Sequence, residues 1–275
     1  SMKNMLIILH REPRGLNMEP VVEPKVLDVL LDKQSDIIKA FNKVDIYWSI
    51  PAGDIEGTIR KVEDENGNII EIDSILNPKD IEKNINQYIS KFDYGIDKSI
   101  ISWRTNSLHR YDSYYTDALR YGYENYTHII ITRPDIKLEE IKNFDIWGHR
   151  FTNWIAAIYT IDTNSQVFIP AAYTDINEDN ENSGYIEHEH INVDKRLSNY
   201  EIMFTNNTSL KFIHDIILVI NSNINYDTKK EDINKYSDPR FNVGELFWEH
   251  ILRIYSMAIG KIYMMPFNAK IRNGK

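Results

Sequence analysis

The segment Thr127-His128-Ile129-Ile130-Ile131-Thr132 is rich in β-branched residues and stops abruptly at Arg133-Pro134-Asp135. Such a run reads as a strand buried on both faces, and the triplet after it sets a cation and a carboxylate at the strand's carboxyl end. In open α/β sheets that edge is where ligands sit. A strand-end ion pair between Arg133 and a neighbour is the plainer alternative, and composition does not choose between them.

Other constellations are weaker. Asp175-Ile-Asn177-Glu-Asp179-Asn180 begins like a calcium loop, but its sixth position is Asn180 where Gly is needed and its twelfth is Ile186 where Glu is needed. Glu187-His188-Glu189-His190 offers only two imidazoles, with no third His close in sequence, and reads as a solvated acidic loop. A nuclease reading of Asp135 with Glu140 and Lys142 fails on spacing, because such a site draws its carboxylates from separate strands. No Gly-x-Ser-x-Gly elbow, phosphate-binding Walker loop or Gly-x-Gly-x-x-Gly turn occurs, so hydrolase, P-loop and dinucleotide-binding readings have no motif behind them.

Composition narrows the field further. The chain's 275 residues carry 32 Lys and Arg against 41 Asp and Glu, a net charge of −9, which opposes any partner reached by neutralising phosphates along a groove. No nucleic-acid partner is expected. With no cysteine, disulfides, Cys-ligated zinc and thiol catalysis are excluded. At 42% hydrophobic and 12% aromatic residues the chain can bury a real core, and with no Gly/Ser/Pro-rich linker it reads as a single domain over 1–275. The apolar stretches fall short of a bilayer-spanning helix, so no transmembrane segment and a cytoplasmic location are expected.

The elements that must position Arg133 and Asp135 follow from hydrophobic period. Met5 to Leu9 is an all-apolar strand, followed by a loop through Pro13, Gly15 and Pro20. Apolar residues at helical spacing predict a helix over 24–41, then Val44 to Ile50 a second strand, the opening of a βαβ unit. Asn66-Gly67 between two short strand patterns predicts a β-hairpin insertion near residues 59–72. A helix over 78–92 with Asn77 as its N-cap, a strand over 99–104 and a Tyr-rich helix over 109–124 lead into the 127–132 strand. Beyond it the pattern predicts strands over 156–161, 166–169 and 261–266, helices over 210–221 and 243–259, and a polar lid or surface loop over 175–190.

The order of these pieces resembles a family. Glu12-Pro13-Arg14 after the first strand, Val44-Asp45-Ile46-Tyr47-Trp48, the Tyr-rich helix and Arg133-Pro134-Asp135-Ile136 are followed by Asn192-Val193-Asp194-Lys195-Arg196-Leu197, Gly244-Glu245-Leu246-Phe247 and Ile271-Arg272. In that order they are similar to the glycosyltransferases of lipopolysaccharide and capsule synthesis found in bacteria and large DNA viruses. The motifs span roughly residues 3–272, each two to five residues long.

The resemblance implies an α/β GT-A-like fold, a mostly parallel sheet flanked by helices, with a nucleotide-sugar donor over the carboxyl ends of the strands. In that family an Asp-x-Asp holds a divalent cation, Mn2+ or Mg2+, that bridges the donor diphosphate. Asp135 matches its second carboxylate and is the implied metal residue, while Arg133 stands where the first would be and can meet the diphosphate directly. Arg14 and Asp45 are then implied donor contacts, Arg14 for phosphates or nucleotide and Asp45 for base or ribose. For an inverting reaction Glu245 or Asp194 would be the base that takes the acceptor's proton, with Glu245 favoured by its place at a predicted helix start. The activity implied is sugar transfer from a nucleotide-sugar donor to a glycan or lipid-linked acceptor. Two alternatives stand beside it: a non-catalytic sugar- or nucleotide-binding domain, and a metal-dependent phosphodiesterase built on Asp135, Glu187 and His188.

Overall fold

The computed structural model describes residues 2–10, 26–51, 59–63, 65–73, 78–104, 122–132, 134, 137–139, 144–146, 149–151, 158, 161, 163–164, 167–173, 186–188, 202–222 and 261–270. Strand β1 (Asn4–His10) is followed by two short helices, α1 (Val26–Leu30) and α2 (Asp36–Ala40), and by β2 (Lys43–Pro51). The single helix expected over 24–41 is thus broken. Asp32 accepts from the Gln34 N–H at 2.8 Å, and the Ser35 hydroxyl donates to the Leu30 carbonyl at 2.7 Å while accepting from the Ile37 N–H at 3.2 Å. Local side-chain bonds of this kind outcompete the helix ladder.

The predicted hairpin is present as β3 (Ile59–Glu63) and β4 (Ile69–Asp73), with Gly67 at φ 80° in the turn. Helix α3 (Pro78–Ser90) and β5 (Lys98–Arg104) follow, then a single 3-10 turn (Tyr123–Asn125) and β6 (His128–Thr132). The rest of the Tyr-rich helix expected over 109–124, like that over 243–259, lies outside the described residues. Short strands β7 (Lys137–Glu139), β8 (Phe144–Ile146) and β9 (His149–Phe151) precede β10 (Val167–Tyr173), β11 (Ile186–His188) and β12 (Ile202–Asn206). Helix α4 (Asn207–Ser222) and β13 (Lys261–Lys270) complete the order. In place of the strand expected over 156–161, Ile158 is helical and its carbonyl accepts from the Ile161 N–H. Part of the predicted 175–190 loop is the strand β11, and its preceding residues lie outside the description.

The main sheet has nine strands in the order β11-β13-β10-β12-β6-β1-β2-β5, with β7 also paired to β13. Following the pairings, β5, β2, β1, β6, β10 and β13 run one way, and β12, β11 and β7 run the other. The fold is therefore α/β with a mostly parallel sheet, as expected. One face of its centre packs Met5, Ile7, Leu9, Val44, Ile46, Trp48 and Ile130 against α1, α2 and α3 in a single core. Trp48 is fully buried and still satisfies its Nε1–H, which donates to the Ser99 Oγ at 3.1 Å. The other face buries Leu6, Ile8, Tyr47, Ile129, Ile131 and Met203. Helix α4 packs on β12 and the 3-10 turn, capped by Asn206, whose Oδ1 accepts the Ser209 N–H at 2.8 Å.

Candidate functional site

Strand order defines a crevice. The chain winds outward from β1 to β2 to β5, then returns to lay β6 on the opposite side of β1. Between β1 and β6 the winding reverses, and in open α/β sheets ligands bind outside the carboxyl ends of the strands at such a switch point. Here β1 ends at His10 and β6 at Thr132, with Leu9 in register with Thr132. Both strands are held rigidly: Met5 through Leu9 and Ile129 through Thr132 are 0–1% exposed. Pro134, immediately past β6, is buried as well.

The register carries polar residues to this edge. His10 pairs with Ser49 on β2, and Ser49 with Ser102 on β5, so three neighbouring strands place them side by side near their carboxyl ends. Ser49 is fully buried, and so is Thr132. Sequence reading passed over His10, Ser49 and Thr132. Their signal was a polar residue at or near the end of an otherwise apolar strand.

Of the residues singled out from sequence, Arg14, Arg133, Asp135, Asp194 and Glu245 lie outside the described residues. Arg14 follows β1 in the chain, and Arg133 and Asp135 follow β6, so the chain reaches them by way of the two strand ends that bound the crevice. Asp45 is described, and it is elsewhere. It is the third residue of β2, six residues before Pro51, which puts it about 20 Å from the carboxyl end of that strand.

Asp45 is 0% exposed, its Oδ2 accepting from the Tyr126 hydroxyl at 2.5 Å and lying 3.2 Å from the Lys43 Nζ. Lys43 also sits over the Tyr126 ring, 5.4 Å from its centroid. The second oxygen, Oδ1, is buried and has no hydrogen-bond partner among the described residues. Asp45 thus serves the opposite edge of the sheet from the crevice, which corrects its expected role as a contact for base or ribose.

The amino edge holds other buried ionisable groups. His128, 1% exposed, has its Nε2 at 3.1 Å from the Ile161 carbonyl and its Nδ1 at 2.8 Å from the Thr127 hydroxyl. Burial pushes its pKa down to about 4, helped by Lys3 and opposed by the bond to the Ile161 carbonyl. Tyr123 is pushed up to about 12, by burial first and then by Glu124 and Asp215.

Among the described residues no group of three His, Asp or Glu could hold a metal ion. Glu187 and His188 are adjacent on β11, which stands four strand positions from β6, about 19 Å across the sheet. Asp135, the third residue of the phosphodiesterase reading, lies outside the described residues. No described helix is long and apolar enough to cross a membrane.

Compared with known proteins, the chain matches no family model and no curated protein. Solved structures with partial likeness include 4-diphosphocytidyl-2C-methyl-D-erythritol synthase from Anaerococcus prevotii, at 12% identity and a TM-score of 0.39, over 92% of this chain and 96% of that one. Another, mannose-1-phosphate geranyltransferase from Thermus thermophilus, aligns at 8% identity and a TM-score of 0.41, over 98% of this chain and 76% of that one. Superpositions this loose carry no argument about activity.

Proposed function

We propose that the protein is a glycosyltransferase that moves a sugar from a nucleotide-sugar donor to a glycan or lipid-linked acceptor. The observation that carries the reading is the switch point between β1 and β6, because the residues that follow these two strand ends include Arg14, Arg133 and Asp135. Two arginines and a carboxylate in the segments that follow these strand ends would suit a diphosphate leaving group. Arg133 offers paired donors to its oxygens, and Arg14 a second cation. A divalent cation, Mn2+ or Mg2+, bound at Asp135 would add to that neutralisation.

In the proposed reaction a carboxylate, Glu245 or Asp194, takes the proton of an acceptor hydroxyl. The hydroxyl oxygen bonds to the anomeric carbon as its bond to the diphosphate breaks, and the nucleoside diphosphate leaves with the electron pair. Asp45 has no part in it.

A thermal-shift panel of UDP-, GDP-, dTDP- and CMP-sugars, each with and without Mn2+, tests the reading in wild type and Asp135→Ala. A ligand at about a hundred times its dissociation constant adds about 2.7 kcal/mol, a rise of several degrees. The proposal predicts a shift with one nucleotide class that the substitution reduces, and loss of sugar transfer with it. No shift across the panel, or an undiminished shift and full transfer in Asp135→Ala, contradicts it.

A further inference from the structure

We propose that Asn66-Gly67, in the turn of the β3–β4 hairpin, is a self-modification site: the Gly67 nitrogen displaces ammonia from the Asn66 side chain, and the product loosens the hairpin. The inference stands apart from the crevice and from sugar transfer. The ladder closes at the Glu63–Ile69 pair, so Glu65 to Asn68 lie outside it. Residues 65–69 are exposed, Ile69 at 72%. Gly67, at φ 80°, has no Cβ to crowd the nitrogen that forms the new bond, and among the described residues nothing accepts its N–H. Two other exposed asparagines lack that combination. Asn68 is followed by β-branched Ile69, and Asn125 by Tyr126, which is 4% exposed and whose N–H donates to the Tyr123 carbonyl at 3.0 Å.

The step balances with water as its only co-reactant. Hydroxide or water takes the Gly67 amide proton, the nitrogen bonds to Asn66 Cγ, and the bond from Cγ to the side-chain nitrogen breaks, releasing ammonia. Water then opens the cyclic imide on either side of the shared nitrogen. Opening at Cγ leaves aspartate. Opening at the main-chain carbonyl carbon leaves isoaspartate, with the backbone routed through Cβ and Cγ and longer by a carbon. Both products carry a new carboxylate next to Glu63-Asp64-Glu65, a fourth acid in succession. Like charges then crowd the turn, and in the isoaspartate the connection no longer has the length that sets the strand register. Among the described strands β3 and β4 pair only with each other, and a two-stranded hairpin is marginal by itself.

The test ages the intact protein in mildly alkaline buffer and maps its tryptic peptides by mass spectrometry, with isoaspartate located by enzymatic methyl labelling. Peptide 62–79 holds both Asn66 and Asn68 and separates them from Asn273-Gly274. Conversion at Asn66 should outrun that at Asn68 and Asn125 by about tenfold or more. In the aged sample, amide exchange in β3 and β4 should quicken by about tenfold or more while Ile7 in β1 keeps its protection. Asn66→Gln, whose longer side chain disfavours the ring closure, should keep β3 and β4 protected through the same ageing. Asn66 left unconverted in the folded chain overturns the proposal. So does equal loss of hairpin protection in aged Asn66→Gln, or undiminished protection in a fully converted sample.

Discussion

At the scale of single residues, the structure divides the ionisable side chains by edge. Asp45 shows how a polar residue inside an apolar strand can mislead, because Val44-Asp45-Ile46 looks like a carboxylate presented to a ligand. The strand's direction was needed to see that it lies near the amino end, against Tyr126 and Lys43. Removing the Tyr126 hydroxyl with Tyr126→Phe leaves a fully buried carboxylate with one oxygen unpartnered and the other held by Lys43 alone. The expected cost is about 2–3 kcal/mol by urea denaturation. Asp45→Asn should lower stability too, while leaving a donor-induced thermal shift at its wild-type size; loss of that shift would return Asp45 to the donor site.

His128 gives stability a sign with pH. Its folded pKa of about 4 lies below its value in the unfolded chain, so the unfolded state binds the extra proton first as the solution is acidified. The contribution is fully present above about pH 6.5 and is lost as pH falls through about 4, a change of roughly 3 kcal/mol. Denaturation midpoints of wild type and His128→Gln should therefore converge on acidification. A gap that stays constant with pH would show that the ring does not titrate in this window.

Among elements, what was legible depended on how much of each element's reason is local. Met5–Leu9 and Ile129–Thr132 are buried on both faces, and an unbroken apolar run is what such a strand requires. The hairpin was legible because Asn66-Gly67 supplies the positive φ its turn needs. β12 was missed, since Ile202-Met203-Phe204-Thr205-Asn206 neither alternates nor carries a turn signal, and its pairing is with a distant strand, β6. The break between α1 and α2 was missed for the opposite reason: apolar spacing continues through it, and only Ser35 and Asp32 redirect the backbone.

Ser35 therefore joins two elements, capping α2 and receiving the end of α1 in one hydroxyl. Ser35→Ala should cost about 1–2 kcal/mol, read as a fall in the denaturation midpoint with unchanged slope. Gly122, at φ 87°, starts the turn before β6, and an added Cβ would meet the Asn125 Nδ2 at 2.9 Å. Gly122→Ala should cost about 1–2 kcal/mol for the left-handed backbone alone. A neutral result at Gly122 would mean that the turn relaxes without disturbing Tyr126 and Asp45.

Across the whole molecule, the sheet separates two tasks. Its amino edge gathers Asp45, Tyr126, Thr127 and His128 into hydrogen-bonded sets that fix where β1, β2 and β6 begin. Its carboxyl edge is the one from which the chain leaves β1 toward Arg14 and β6 toward Arg133 and Asp135. The fold class was readable from strand and helix patterns. The crevice was readable only in part, because a switch point is a property of strand order, and strand order depends on which distant segments pair.

The most direct test of that division is hydrogen exchange with and without the nucleotide sugar that gives the largest thermal shift. The account predicts new protection at Leu9, His10 and Thr132, the ends of β1 and β6, and none at Asn4, Lys43 or His128. Protection centred on the amino edge, or none at either strand end, would contradict the placement of the donor in the β1–β6 crevice.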